Sequence, residues 1–203
     1  MPVIDLTNDE YVDSGSPIPN KTIVKVQLNI KQGSCNQLDD GTRLDFYATK
    51  STNTGAVYLD CEYTVVEGEY YKRKIFDMIG LYSPNNGNKW ADMGRSLLKG
   101  ILSSARRVSP KDKSPQAQKA FILNNYQELE GLVFLVEVKV EEQGNYDPRN
   151  KIAKIITPDH KDYHRLMGDT HNPYGHSSSP QYQQPQGSYS NAFDNTLNDD
   201  VPF

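Results

Sequence analysis

The sequence offers few of the residues that covalent chemistry or metal binding requires. Of 203 residues, two are cysteine, Cys35 and Cys61. Cys35 lies in a polar, glycine-containing stretch and Cys61 in a strand-like run, so no bridge is suggested. Two thiols without a histidine at ligand spacing cannot build a zinc site. There is no G-x-S-x-G, no glycine-rich phosphate loop and no H-E-x-x-H, which removes the signatures of three large enzyme groups. Asp39, Asp40, Glu67 and Glu69 fall in predicted turns, where acids are common for backbone reasons. One polar cluster remains: His160, Asp162, His164 and His171. It keeps a metal-dependent nuclease centred on His160, Asp162 and His164 open as an alternative. Against it, the cluster sits at the edge of the patterned region, where such residues are ordinarily solvated. The expectation is a protein that is not an enzyme and needs neither cofactor nor metal.

Long apolar runs are also missing. None approaches the ~20 residues that span a bilayer. The opening "MPVIDLTNDEYVDSGSP" has neither a basic region nor an apolar stretch of the signal-peptide kind. A soluble, cytoplasmic protein without a membrane partner is expected. The hydrophobic fraction, 36%, is low for a chain packed along its whole length. Some of the chain is therefore expected to lie outside any core.

What is present is charge asymmetry, tyrosine and alternation. Residues 21–160 hold 20 Lys and Arg against 17 Asp and Glu. Residues 1–20 hold four acids and no Lys or Arg, and residues 161–203 hold two bases and five acids. A mildly basic middle between acidic ends suggests a polyanionic partner. Within that middle, "TIVKVQLNIK" alternates Val24, Val26, Leu28 and Ile30 with Lys25, Gln27, Asn29 and Lys31, the period of a half-buried strand. "TRLDFYATK" alternates Leu44, Phe46 and Ala48 with Arg43, Asp45 and Tyr47. "AVYLDCEYTVV" places Val57, Leu59, Cys61, Tyr63 and Val65 on one face and Tyr58, Asp60, Glu62 and Thr64 on the other. "YKRKIFDMIGLYS" reads as a fourth strand, with Lys72, Lys74 and Phe76 on one face and Tyr71 and Arg73 opposite.

The period then changes. "NKWADMGRSLLKGILSSARRV" sets Trp90, Met93, Leu97, Leu98, Ile101 and Ala105 on one helical face, Asn88 at the N-cap, and Arg95, Lys99 and Arg106 on the other face. "QAQKAFILNNYQELEG" reads as a second, shorter helix. "LVFLVEVKVEEQG" and "RNKIAKIITP" close the pattern as two further strands. This order predicts a mainly β fold, an OB-type β-barrel with a helix between its early and closing strands. A ferredoxin-like sheet would need a helix after the first strand, and a sandwich would rarely contain so amphipathic a helix. The expected domains are an acidic arm (1–20), the OB-fold domain (21–160), a disordered linker poor in aliphatics (161–197) and a six-residue tip (198–203).

Single-stranded nucleic acid needs cations for phosphates and aromatic faces for bases. The predicted outer faces supply Lys25, Lys31, Arg43, Tyr47, Tyr58, Lys72, Arg73, Lys74, Phe76, Arg149, Lys151 and Lys154, with Tyr146 in the preceding loop. Asp60 and Glu62 on the same sheet break the uniformity of that positive surface.

The series "EYTVVEGEYYKRKIFDMIGLYSPN", then "KWADMGRSLLKGIL", then "ELEGLVFLVEVKVEEQGNYDPRNKIAKIITP" resembles a family of phage-encoded OB-fold single-stranded-DNA-binding proteins, over roughly residues 22–158. The final "NDDVPF" is similar to the acidic tip of bacterial single-stranded-DNA-binding proteins, in which aspartates, an aliphatic residue, Pro and Phe recruit replication and repair enzymes. Asp199, Asp200, Val201, Pro202 and Phe203 match that tip. Asn198 stands where a further Asp would fit, and Val201 fills the aliphatic position. The resemblance implies sequence-independent single-stranded DNA binding in phage replication, recombination and repair, in the host cytoplasm, with partner enzymes held at the tip. It leaves room for a homo-oligomer. A structural or adaptor protein that does not bind DNA is the other alternative.

Overall fold

The computed structural model describes Thr7 and residues 15–38, 41–85, 89–144 and 146–168. Alternation becomes strand where one face can be buried. In β1 (Ile23–Lys31), Val24, Val26, Leu28 and Ile30 are buried, and in β4 (Val57–Val65) so are Val57, Leu59, Cys61, Tyr63 and Val65. The two strands pair antiparallel with Leu28 opposite Tyr63 and Ile30 opposite Cys61, so both apolar rows face one core. β5 (Lys74–Tyr82) joins the other edge of β4, β6 (Val133–Gln143) the other edge of β1, and β7 (Tyr146–Ile156) joins β6. A hairpin of β2 (Cys35–Gln37) and β3 (Arg43–Lys50) extends the sheet, and the end of β3 takes the edge of β4 where β1 leaves it. The fold is mainly β: a curled antiparallel sheet forming a half-barrel of the OB type, with α1 (Lys89–Ala105) between β5 and β6.

Among the described residues, the side chain of Lys151 ties the two ends of the curled sheet together. Alternation in β5 puts Asp77 on the same side as the buried Ile75 and Ile79, so a carboxylate faces the seam. Lys151 of β7 reaches across, pairs with Asp77 Oδ1 at 2.8 Å and donates to Phe76 O at 3.1 Å. The core behind this seam joins both strand rows to Phe134, Val136 and Val138 of β6 and to Leu98, Ile101 and Leu102 of α1. Tyr63 meets Phe134 edge-on, with ring centroids 6.2 Å apart.

Several expectations need correcting. The buried stripe of α1 contains Ala91, Gly94, Leu98, Ile101 and Leu102, while Met93 is exposed. Glycines cause the rotation. A Cβ on Gly94 would lie 1.8 Å from Gly80 O, and one on Gly80 would lie 2.4 Å from the Trp90 ring. Helix and strand backbones therefore touch, and the small residues define the contact. Asn88 lies outside the described residues. The second helix is interrupted: α2 (Pro115–Lys119) is followed by a 3₁₀ turn at Tyr126–Leu129. Arg106 is drawn off its expected outward stripe. It donates to Ala120 O and Ile122 O and pairs with Glu128 at 3.0 Å. The Asn124 side-chain and backbone N–H groups, then Arg106, hold the Glu128 carboxyl below its usual range.

The packed unit also extends past both expected boundaries. Ile18 is fully buried, and the Asn150 side chain bonds its N–H and its carbonyl, each at 2.8 Å. At the other end, α3 (Tyr163–Met167) inserts Tyr163 against Leu135 and Ile156, and the Tyr163 hydroxyl donates to Ser104 O. Residues 161–168 thus belong to the folded unit and not to a linker. Most of the 1–20 arm, the rest of the linker and the tip residues Asp199, Asp200, Val201, Pro202 and Phe203 lie outside the described residues. Among the described residues, no helix is long and apolar enough to cross a membrane.

Candidate nucleic-acid interface

The outward side chains of β1, β4 and β5 form one open face. β1 presents Gln27, Asn29 and Lys31. β4 presents Tyr58, Asp60, Glu62 and Thr64. β5 presents Lys74, Phe76 and Met78. The register sets Lys31 opposite Asp60, Glu62 opposite Phe76 and Asp60 opposite Met78. Phe76 is 48% exposed and Met78 51%, although both sit in the middle of a strand where apolar residues are usually covered. The Lys31 ammonium lies 5.2 Å from the Phe76 ring centroid, within cation–π range, so it leans across β4. At one end of the face the only tryptophan, Trp90, covers Gly80 and stands 6.5 Å from the Tyr58 ring.

A groove of about 260 Å³ continues from this face between β5 and β7. Pro17, Arg73, Lys74, Phe76, Arg149 and Asn150 line it. Arg73 is anchored by a bond from Nη2 to Ser16 O at 2.9 Å, and Arg149 pairs with Glu141 at 3.3 Å. Five of the predicted residues therefore come together: Lys31, Arg73, Lys74, Phe76 and Arg149.

The others do not join them. Lys25 is paired with Glu67 at 2.9 Å and lies near α3, in a hollow with Tyr70 and Leu166. Lys154 pairs with Glu137 and lines an apolar groove with Met93, Leu97 and Gly100 of α1. Lys151 is the seam residue described above. The alternation proposed for Lys72 fails, because β5 starts at Lys74. Lys72 occupies a left-handed turn position (φ 67°) with its ammonium over the Tyr71 ring. Tyr47 is half-buried against the core and Tyr58 packs towards Trp90, so neither stands free. Arg43 is exposed in β3 and forms no ion pair among the described residues.

β3 also departs from its expected alternation. Asp45 and Phe46 have φ of 48° and 61°, two consecutive left-handed residues without glycine. The resulting bulge keeps Leu44 and Ala48 buried but turns Phe46 outward, 53% exposed. Gly33 accommodates it, since its N–H donates to Phe46 O at 2.6 Å and a Cβ there would strike Ala48 O. Nothing in the local sequence signals this turn. Met78, by contrast, could be found by extending the Lys74–Phe76 alternation two residues.

The remaining chemistry is sparse. Both cysteines are free, and burial pushes the Cys61 thiol up to about 12, far from the thiolate a nucleophile needs. His160 accepts the Asp162 N–H at Nδ1 (3.3 Å), and Asp162 also pairs with Arg165. Among the described residues, no three His, Cys, Asp or Glu side chains converge on a metal-sized site. His171 lies outside them. No family model matches the chain, and no curated protein matches it.

Proposed function

We propose that the chain binds single-stranded DNA without sequence preference, on the outer face of β1, β4 and β5 and in the adjoining groove. The observation that carries this reading is the pair of uncovered side chains Phe76 and Met78 in mid-strand, flanked by Lys31, Lys74, Arg73 and Arg149. An aromatic ring on an open sheet gives a base a stacking surface that any base can use, at about 1–3 kcal/mol per base. The groove cations sit where the adjacent phosphates would pass. A duplex keeps its bases paired and stacked and cannot use the ring.

In this reading the protein protects single strands during replication, recombination and repair. The tip Asp199–Phe203 holds partner enzymes, with the Phe203 ring in an apolar pocket and its carboxylate on a partner cation. The likeness of the tip to bacterial tails supports this second role. The test is a titration followed by Trp90 fluorescence, using oligo(dT) and a duplex of equal length at two salt concentrations. Preference for the single strand, weakening with salt, is expected. A chain ending at residue 197 should bind oligo(dT) at least as tightly. Equal affinity for duplex, or binding indifferent to salt, overturns the reading.

A further inference from the structure

The proposed face is not simply positive. Its middle strand, β4, points Asp60 and Glu62, two residues apart and both half-buried, to the same side as Phe76 and Met78. Each acid holds one of the lysines that a phosphate would use. Lys31 Nζ lies 3.4 Å from Asp60 Oδ2 across the β1–β4 pair. Lys74 Nζ reaches diagonally from β5 to Glu62 Oε1 at 2.9 Å. The face is thus a charge-compensated floor with rings standing on it, and its uncompensated attraction for a polyanion is small.

Both lysine side chains are more than half exposed, and an exposed pair such as Lys31–Asp60 contributes only roughly 0–1 kcal/mol, so the lysines can change partner. The change has a cost elsewhere. A phosphate that takes Lys31 or Lys74 leaves a carboxylate within a few ångströms of its own charge. Glu62, with only 18% of its side chain exposed, has little water to turn to. A ligand that offers phosphates alone meets this repulsion without compensation. A ligand that also lays bases on Phe76 and Met78 recovers the loss through stacking. Repulsion aimed at the wrong partner is a general route to specificity.

We propose that Asp60 and Glu62 are specificity-determining residues, which repel duplex from the face and so set the preference for single strands. The inference rests on the single-strand reading above. The test compares the wild type with the double variant Asp60→Asn/Glu62→Gln, both full length, against oligo(dT) and an equal-length duplex over a salt series. A second double variant, Asp112→Asn/Glu142→Gln, makes the same change in charge at exposed sites off the face.

The face variant should bind duplex about tenfold more tightly and oligo(dT) only severalfold more tightly, so that the preference falls. Its salt dependence should steepen by about one to two ions, because Lys31 and Lys74, no longer neutralised by carboxylates, now count against phosphates. The control variant should keep the wild-type ratio. If the wild type prefers oligo(dT) and the face variant keeps that ratio, or binds oligo(dT) more weakly, the proposal is overturned and the reading survives. If the wild type binds no oligo(dT), both fail together.

Discussion

Replacing Lys151 with methionine is expected to cost about 3 kcal/mol of folding stability, a fall of roughly 10 °C in the unfolding midpoint for a folded unit of this size. The reason lies in the seam. Lys151 is 12% exposed and its partner Asp77 25%, and Asp77 sits on the core side of β5. Methionine fills the same space but leaves the carboxylate without its cation and Phe76 O without its donor. Removing one member of a desolvated pair costs more than the pair itself contributes, because the survivor remains charged and poorly hydrated. The double replacement Lys151→Met/Asp77→Leu removes both charges and should recover most of the loss. Thermal unfolding of the single and double variants checks this. A single variant as stable as the wild type would mean that the seam is not held by this pair. DNA affinity, measured well below the midpoint, should change little, which separates Lys151 from the residues of the face.

Replacing Phe76 with alanine should weaken oligo(dT) binding by roughly tenfold to a hundredfold, the range expected for loss of one stacked base. The fold should barely notice, since about half of the ring is already in water. The salt dependence should also stay nearly constant, because the ring carries no charge. Phe76→Tyr, which keeps the ring, should retain most of the affinity. The measurement is a Trp90 fluorescence titration at fixed salt, with circular dichroism to confirm the fold. An affinity within twofold of wild type for Phe76→Ala would remove the ring from the interface. The Lys31 ammonium beside the ring gives a secondary effect in the same direction, because without Phe76 it loses the contact that leans it over β4.

Much of the architecture is legible in the sequence, for an identifiable reason. β1 and β4 each bury one face and expose the other, so alternation reports them directly, and the change of period marks α1. Where burial is not the deciding force, the pattern misleads. In β3 two left-handed residues turn Phe46 out of a row that alternation assigns to the core. In α1 the contact is made by glycine against glycine, and a hydrophobic stripe cannot reveal a surface defined by missing side chains. At the termini, Ile18 and Tyr163 enter the core singly, without a periodic neighbour to announce them.

The candidate site is legible only in its residue types. Lysines and aromatics can be counted along each segment, but the partner of each cation depends on register. Lys31 meets Asp60 because β1 and β4 pair as they do, and Lys151 meets Asp77 because the sheet curls until β7 reaches β5. Those pairings divide one list of cations into a face, a seam and two separate hollows.

In the proposed complex a single strand lies across β5 with its bases on Phe76. Photochemical crosslinking of the full-length protein to oligo(dT) carrying 5-iododeoxyuridine, followed by mass-spectrometric mapping, tests this most directly. The main crosslinks should fall in the segment bearing Phe76, Met78 and Tyr82, and excess unlabelled oligo(dT) should abolish them. Crosslinks confined to the α1–β7 groove around Met93, with none between residues 74 and 82, would contradict this placement.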